Sequence, residues 1–196
     1  MLFKWGYHGQ IAGLQHIPAE GGFMLAGNHV SYLDPPLIGV HSTRQPVYSF
    51  ARRTLFKRGI GWLFRRLCMV GVDREKSDLA TMRRVLQLLK EGHPVMLFPE
   101  GTRSPTGVLQ RGKKGIGWFI QHANVPVVPV RIFGTFEAWP KQAKWPRLGV
   151  RISIVYGKPL VSDDFADCRQ APDVFQAISD RVMQAIANLQ DPFHKK

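Results

Sequence analysis

The chain has 196 residues, 44% of them hydrophobic and 21% charged, a balance that excludes a disordered protein and fits one folded domain. No apolar run approaches the roughly 18–20 residues of a spanning helix, and the N-terminus shows no secretory signal, so we expect a cytoplasmic protein. The net charge of +13 favours an anionic partner: a nucleic acid, an anionic membrane or a phosphorylated substrate.

In the first half of the chain, apolar runs alternate with helical patterns, which is typical of an α/β domain. We predict strands at 23–26, 46–51, 68–72 and 94–98. A helix is predicted to start with Asp34 as N-cap and Pro35 in the first helical position. A second helix is predicted at 54–67, and a third follows Ser77, with the apolar stripe Leu79, Met82, Leu86 and Leu89.

The second half continues the same alternation. We predict a helix at 113–123, strands at 125–133 and 150–156, and a last helix at about 172–189. The stripe of that last helix is Val174, Phe175, Ile178, Val182, Ile186 and Leu189. Because Pro126 and Pro129 interrupt the strand at 125–133, we expect it at an edge of the sheet or next to a bulge.

The first constellation that could carry chemistry is Asn28-His29-Val30-Ser31-Tyr32-Leu33-Asp34, just after a strand. A turn of this length can place the Asp34 carboxylate on one nitrogen of His29, leaving the other nitrogen free to take a proton from a hydroxyl. The alternative is that Asp34 only caps its helix. Ser31 is a poor nucleophile candidate, since nothing holds its hydroxyl against the ring.

Two further segments also follow predicted strands. The first, Phe98-Pro99-Glu100-Gly101-Thr102-Arg103-Ser104, offers a glycine that permits a tight turn and a guanidinium that matches phosphate oxygens in pairs. The second, Gly71-Val72-Asp73-Arg74, offers another cation. The first could alternatively be a surface turn with an ion pair between Glu100 and Arg103, and the second could be a surface ion pair.

Together these blocks resemble the glycerolipid acyltransferase family, which includes the lysophosphatidic acid acyltransferases. That family has four ordered blocks: NHxxxxD, a strand ending in arginine, FPEGTRS, and a VPxxPV strand. Here they are residues 28–34, 71–74, 98–104 and 125–130. The resemblance implies one domain over residues 1–196, with a mixed central β-sheet flanked by helices, a motif-bearing core at about 22–160 and a C-terminal helix at about 172–190.

The resemblance also implies roles for single residues. His29 is the expected general base and Asp34 its orienting partner. The expected glycerol phosphate ligands are Arg74, Glu100, Gly101, Thr102 and Arg103, with Arg52 standing where the family usually has a lysine. Thr54 replaces the usual glutamate of that segment. The fourth block is expected near the acyl chain.

The expected reaction moves a fatty acyl group directly from acyl-coenzyme A or acyl carrier protein to lysophosphatidic acid, giving phosphatidic acid without cofactor or metal. Glycerol 3-phosphate, another lysophospholipid or a lyso-aminolipid stay open as acceptors. We expect peripheral binding to the cytoplasmic face of an anionic membrane, through residues 52–66 or 139–147, and no nucleic acid. A basic nucleic-acid-binding module and a non-catalytic lipid-binding module are the competing interpretations.

Overall fold

The computed structural model of the protein describes residue 3 and residues 6–52, 69–72 and 79–193, with the backbone alone at 51–52 and 69–72. The seven strands of these ranges form one mixed sheet in the order β1-β7-β6-β2-β5-β3-β4. The strands are β1 (Gln10–Ala12), β2 (Phe23–Gly27), β3 (Tyr48–Arg52), β4 (Met69–Val72), β5 (Pro94–Leu97), β6 (Val127–Phe133) and β7 (Ser153–Tyr156). Five neighbouring strands run parallel to one another: β4, β3, β5, β2 and β6. The next strand, β7, pairs antiparallel with β6.

The α-helices in the described ranges are α1 (Asp34–His41), α2 (Leu79–Lys90), α3 (Lys114–Ala123), the short α4 (Thr135–Ala138) and α5 (Val174–Asn188). Short 3-10 turns lie at Leu14–His16, Ser162–Phe165 and Cys168–Gln170. The α/β prediction is therefore confirmed. The predicted helix at 54–67 and the Ser77 cap lie outside the described residues.

The sheet separates two apolar clusters, because alternate residues of a strand face opposite sides. Phe23 and Leu25 of β2 point to the face that α1 covers through Ile38. Met24 and Ala26 point to the opposite face, which α2, α3 and α5 cover. The predicted stripe of α5 is confirmed at its centre, where three residues are fully buried: Ile178, Val182 and Ile186.

The stripe predicted for α2 is wrong at its first residue, because Leu79 is 64% exposed. The helix turns Val85, Leu88 and Leu89 to the sheet instead. A helical stripe whose members are three or four positions apart fits two neighbouring faces of the helix, and the packing against the sheet selects one of them.

The expected edge position of the proline-bearing strand is also wrong, since β6 lies between β7 and β2. Pro129 is tolerated there because it stands where the ladder to β7 ends. The Pro129 carbonyl still accepts a hydrogen bond from the Gly157 N–H (2.8 Å). The strand therefore lacks only one N–H donor, that of Pro129 itself, at the end of the ladder with β7. The strand is interior, and Val127, Val128 and Val130 are fully buried.

The parallel strands determine where loops meet. Because β2, β5, β3 and β4 run in one direction, the segments that follow each of them leave the same edge of the sheet.

In the described ranges, no helix is both long and apolar enough to cross a bilayer.

Candidate active site

The segments that carry His29 and Glu100 follow two neighbouring strands and leave the sheet at the same edge. His29 follows the end of β2 by two residues, and Glu100 follows the end of β5 by three. These strands pair directly, with Ala26 opposite Leu97. The sheet therefore brings together segments that are separated by 71 positions in the chain.

The predicted contact between imidazole and carboxylate is present. His29 Nδ1 lies 2.9 Å from Asp34 Oδ2, and the Asp34 side chain is completely buried while that of His29 is 18% exposed. A carboxylate only accepts hydrogen bonds, so Nδ1 carries the hydrogen and Nε2 carries the free lone pair. No hydrogen bond to Nε2 is found among the described residues, which leaves this atom available to a substrate hydroxyl.

Backbone donors hold the Asp34 carboxylate in place. The N–H groups of Val30 and Ser31 each donate to Oδ2 at 2.7 Å, in addition to the His29 ring. Asp34 Oδ1 is buried and has no hydrogen-bond partner within the described part of the chain. The carboxylate thus closes its own turn and fixes the imidazole at the same time.

Asp34 does not cap its helix as predicted. The N-cap is Leu33, whose carbonyl accepts the first helical hydrogen bond from Leu37, and Asp34 is the first helical residue. The carboxylate turns back to the preceding loop because the next two residues are prolines, which have no N–H to offer it. The prediction was wrong in this detail, although Asp34 does lie at the helix start.

The segment after β5 holds the main chain of His29 at both ends. The His29 N–H donates to Glu100 Oε1 (3.0 Å), and the His29 carbonyl accepts from the Ser104 N–H (2.8 Å). The imidazole also stacks on the Phe98 ring, with centroids 4.2 Å apart. The histidine is therefore fixed through its backbone, one ring face and Nδ1, and its Nε2 has no hydrogen-bond partner among the described residues.

Glu100 is placed as a positioning residue. Its side chain is almost fully buried, and Oε2 accepts a hydrogen bond from the Gln110 amide at 2.9 Å. Burial raises the pKa of the Glu100 carboxyl above its ordinary value, and hydrogen bonds from the His29 N–H and Gln110 partly oppose that rise. These contacts are with the protein itself and not with Arg103.

Arg103 presents an unsatisfied donor next to the histidine loop. Its guanidinium carbon lies 3.5 Å from the centre of the Tyr32 ring, a cation–π contact. One terminal nitrogen, Nη1, is buried without a hydrogen-bond partner among the described residues. Because an unpaired buried donor is costly, this guanidinium is a candidate for completing its hydrogen bonds with an anionic ligand.

The glycine between Glu100 and Arg103 is required by the backbone. Gly101 has φ of +68°, in the left-handed region, and a methyl group on it would approach the Lys113 side chain to 3.1 Å. The next carbonyl, that of Thr102, accepts a hydrogen bond from Gln110 at 3.3 Å. The turn is thus narrow, braced by Gln110 and crossed by the aliphatic part of a lysine side chain.

Two polar side chains of the first block have structural tasks. The Asn28 side chain donates to the Ile132 carbonyl and accepts from the Ile132 N–H (3.1 and 2.8 Å), which extends the pairing of β2 with β6. The Ser31 hydroxyl is fully buried and donates to the Trp139 carbonyl at 2.7 Å. Since its proton is engaged there, Ser31 is not poised as a nucleophile.

The structure thus brings together six of the predicted residues or their backbones: His29, Asp34, Glu100, Gly101, Thr102 and Arg103. Arg52 ends β3 at this edge of the sheet, but its side chain lies outside the described residues, and Arg74 lies outside them altogether. Their contact with a substrate stays a prediction.

Sequence reasoning did not identify Gln110, Tyr32 or Phe98 as parts of the site. Tyr32 and Phe98 stand inside the motif blocks, so their positions were a usable signal. Gln110 lies ten residues beyond Glu100 in an irregular loop, and nothing in the local sequence marks it.

A groove of about 570 Å³ opens beside the histidine loop. Asn28 and Val30, the chain neighbours of His29, line part of its wall, and His29 itself does not. The rest of the lining mixes apolar and polar residues from the loop after the site and from the end of β6: Thr106, Gly107, Val108, Leu109, Arg131, Ile132, Phe133, Gly134, Phe136 and Glu137. The groove is large enough for part of an elongated ligand.

Comparison with known proteins connects this geometry to an enzyme family. A 1-acyl-sn-glycerol-3-phosphate acyltransferase of Bacillus subtilis is 28% identical over 179 residues, which cover 90% of this chain and 85% of that protein. A chloroplastic 1-acyl-sn-glycerol-3-phosphate acyltransferase of Brassica napus is 29% identical over 79% of this chain, which spans only 45% of the plant protein. The chain therefore matches most of one relative and less than half of another.

A solved structure is similar as well. The crystal structure of the 1-acyl-sn-glycerophosphate acyltransferase from Thermotoga maritima superposes with a TM-score of 0.70 at 26% identity, covering 93% of this chain and 72% of that one. The acyltransferase family model matches residues 8–133, more than half of the chain and all four sequence blocks. These matches confirm the fold and the resemblance seen in the sequence, and this chain belongs to the acyltransferase family.

Proposed function

We propose that this protein transfers a fatty acyl group from an acyl thioester to the free hydroxyl of lysophosphatidic acid, giving phosphatidic acid for phospholipid synthesis. The observation that carries the proposal is the His29–Asp34 pair, in which Nδ1 contacts the buried carboxylate and Nε2 is left without a partner among the described residues, with a buried, unpaired Arg103 nitrogen in the neighbouring segment. The names of the relatives supply the same acceptor, because the proteins of Bacillus subtilis and Brassica napus are both called 1-acyl-sn-glycerol-3-phosphate acyltransferases.

The chemical step follows from the free Nε2 of His29. This nitrogen takes the proton of the acceptor hydroxyl while the hydroxyl oxygen attacks the thioester carbonyl. The resulting imidazolium is stabilised by Asp34 through Nδ1–H. When the tetrahedral intermediate collapses, the carbon–sulfur bond breaks, and the imidazolium returns the proton to the departing thiolate. No acyl-enzyme forms in this scheme, which agrees with the engaged hydroxyl of Ser31.

Recognition of the acceptor is assigned to its phosphate. The Arg103 fork can donate two parallel hydrogen bonds to phosphate oxygens, and the Tyr32 ring holds the guanidinium plane in one orientation. Gly101 and Thr102 supply the turn that lets the phosphate approach. Arg52 and Arg74 remain proposed additional phosphate ligands on the strength of the sequence blocks.

The remaining substrate is the acyl donor, which we propose to be acyl-coenzyme A or acyl carrier protein, bound as a co-substrate and without a cofactor. Holding both substrates in one geometry supplies much of the rate, because the attack becomes effectively intramolecular. We further propose that the protein acts as a peripheral protein on the cytoplasmic face of an anionic membrane, where a lysolipid acceptor is found.

Acyl transfer from labelled acyl-coenzyme A to lysophosphatidic acid tests the general-base assignment. His29→Ala is expected to lower kcat by roughly 10²–10⁴-fold, the usual contribution of a positioned base. The matched control is His122→Ala, which removes an exposed imidazole from α3, outside the site. Retention of most of the activity in His29→Ala would refute the assignment.

A panel of acceptors tests the phosphate assignment. Lysophosphatidic acid is expected to exceed a lysophospholipid with a substituted phosphate, such as lysophosphatidylcholine, because Arg103 needs unesterified oxygens. If a lyso-aminolipid or glycerol 3-phosphate were preferred, the acceptor would be wrong while the His29 chemistry could still stand.

A further inference from the structure

The loop of residues 139–148 combines exposed apolar side chains with exposed cations. Trp145 is 81% exposed and Leu148 is 63% exposed, unusual values for such large apolar residues. Three cations of the loop are exposed as well, and none of them forms an ion pair within the described residues: Lys141, Lys144 and Arg147. The sequence has no acidic residue between Glu137 and Asp163.

The loop is not a loose excursion, because hydrogen bonds hold it at both ends. The Trp139 indole N–H donates to the Ala143 carbonyl (3.2 Å), and the Arg147 N–H donates to the Ala138 carbonyl (2.7 Å). These bonds close the loop on itself over α4. Its exposed side chains are therefore presented from a defined backbone.

The same loop touches both halves of the active site. The Trp139 carbonyl accepts from the Ser31 hydroxyl at 2.7 Å, and the Trp139 ring packs on Tyr32 with centroids 5.2 Å apart. On the other side, the Gln142 amide donates to the Pro105 carbonyl at 3.2 Å. The loop thus adjoins the histidine segment and the segment that carries Arg103.

Exposed tryptophan and leucine between lysines and arginines fit a bilayer interface. Anionic headgroups attract the cations, and the headgroup–acyl boundary accepts the indole and the aliphatic side chain. A polyanion without an apolar phase would match the cations and leave Trp145 and Leu148 in water. The charge and the apolar exposure together therefore favour a membrane over a purely polar partner.

We propose that the 139–148 loop is the surface by which this protein contacts anionic membranes, so that the entrance to the site lies at the level of the lipid headgroups. The proposal rests on the proposed function, because an acceptor that resides in the bilayer requires the enzyme to contact the membrane. In this arrangement, a lysolipid in the bilayer presents its phosphate to Arg103 without leaving the interface.

Flotation with substrate-free vesicles tests the surface independently of catalysis. The probes are phosphatidylcholine vesicles with and without phosphatidylglycerol, and the loop variant is Lys141→Ala/Lys144→Ala/Arg147→Ala. Each cation near an anionic surface contributes about a fivefold factor, so the partition coefficient on anionic vesicles is expected to fall roughly 100-fold. Trp145→Ala/Leu148→Ala is expected to weaken binding as well, with no change in net charge.

The matched control removes three exposed cations from other parts of the surface, Arg83→Ala/Lys90→Ala/Lys158→Ala. It is expected to lose much less binding than the loop variant despite the same change in net charge. An equal loss in both variants would show that only net charge matters and would overturn the proposal. Flotation of the loop variant equal to that of the wild type would also overturn the proposal. A loop variant that floats normally but no longer binds acyl carrier protein would assign the loop to that protein instead.

Activity on a short-chain lysophosphatidic acid that stays monomeric separates this proposal from the proposed function. The loop variants are expected to keep wild-type kcat on that acceptor and to lose activity only on vesicle-borne acceptor. If wild type were inactive on every acceptor while the loop still governed flotation, the function would fail and the surface would stand.

Discussion

Replacing Asp34 by asparagine isolates the electrostatic part of the proposed mechanism. In the wild type, Oδ2 accepts three hydrogen bonds, from His29 Nδ1 and from the N–H groups of Val30 and Ser31, and Oδ1 has no partner among the described residues. An asparagine can place its carbonyl oxygen at the Oδ2 position and keep all three. Asp34→Asn therefore preserves the tautomer and the geometry of His29 and removes mainly the negative charge.

The expected loss of rate follows from the charge that develops on the ring. At the 2.9 Å contact, the centres of an imidazolium and a carboxylate are about 4 Å apart, which corresponds to roughly 4 kcal/mol at an effective dielectric constant of about 20. Because about 1.4 kcal/mol changes a rate tenfold, kcat is expected to fall by about 10³-fold. The folded state also loses about 1–3 kcal/mol, since the new amide N–H₂ is buried where Oδ1 had no partner.

The assay is kcat on saturating lysophosphatidic acid, together with urea unfolding to verify that the variant is folded. Asp164→Asn is the matched control, because Asp164 Oδ2 also accepts a backbone N–H, that of Val161, but lies in a 3-10 turn outside the site. A folded Asp34→Asn enzyme with more than about a tenth of wild-type kcat would refute the reasoning, because the carboxylate charge would then contribute little.

Three further substitutions test other parts of the site. Arg103→Lys keeps the charge but loses the planar fork stacked on Tyr32, so KM for lysophosphatidic acid is expected to rise about 10–100-fold while KM for the acyl donor stays unchanged. Glu100→Gln removes a carboxyl whose pKa is raised by burial. Because the unfolded chain releases that proton first, wild-type stability relative to this variant is expected to fall as pH rises from the ordinary value to the raised one, measured by urea unfolding at several pH values. Tyr156→Phe deletes a buried hydrogen bond to the Ile38 carbonyl of α1 and is expected to cost about 1 kcal/mol in thermal unfolding, with little change in KM; an unchanged unfolding temperature would contradict that bond's contribution.

The sequence was sufficient for features that depend on local pattern. The interior strands and the amphipathic helices α3 and α5 follow from apolar periodicity, and their observed bounds differ from prediction by at most three residues. The three-residue strand β1 was missed, because so short a segment carries no periodic signal and is defined only by its pairing with β7. Non-local pairing likewise decided that β6 is an interior strand.

The contact between His29 and Asp34 was predictable because both residues belong to one turn. The residues that hold this turn were not, because they come from distant parts of the chain: Gln110 acts through Glu100, and Ser104 acts on the His29 carbonyl. Such contacts depend on which strands are neighbours in the sheet, and the sequence does not state that order. A motif therefore identifies the reacting groups more readily than the groups that position them.

The net charge of +13 does not by itself identify an anion site, because arginines with the same formal charge make different contacts. Arg131 donates to the Ala187 and Leu189 carbonyls at the end of α5, and Arg44 donates to the Pro18 and Gly92 carbonyls. These two guanidiniums tie segments of the fold together, and each uses part of its donor set on backbone carbonyls. Arg103 differs because a buried nitrogen of its fork has no partner in the described part of the chain. The unmet hydrogen bond, rather than the charge alone, is what supports the proposal that Arg103 binds an anion.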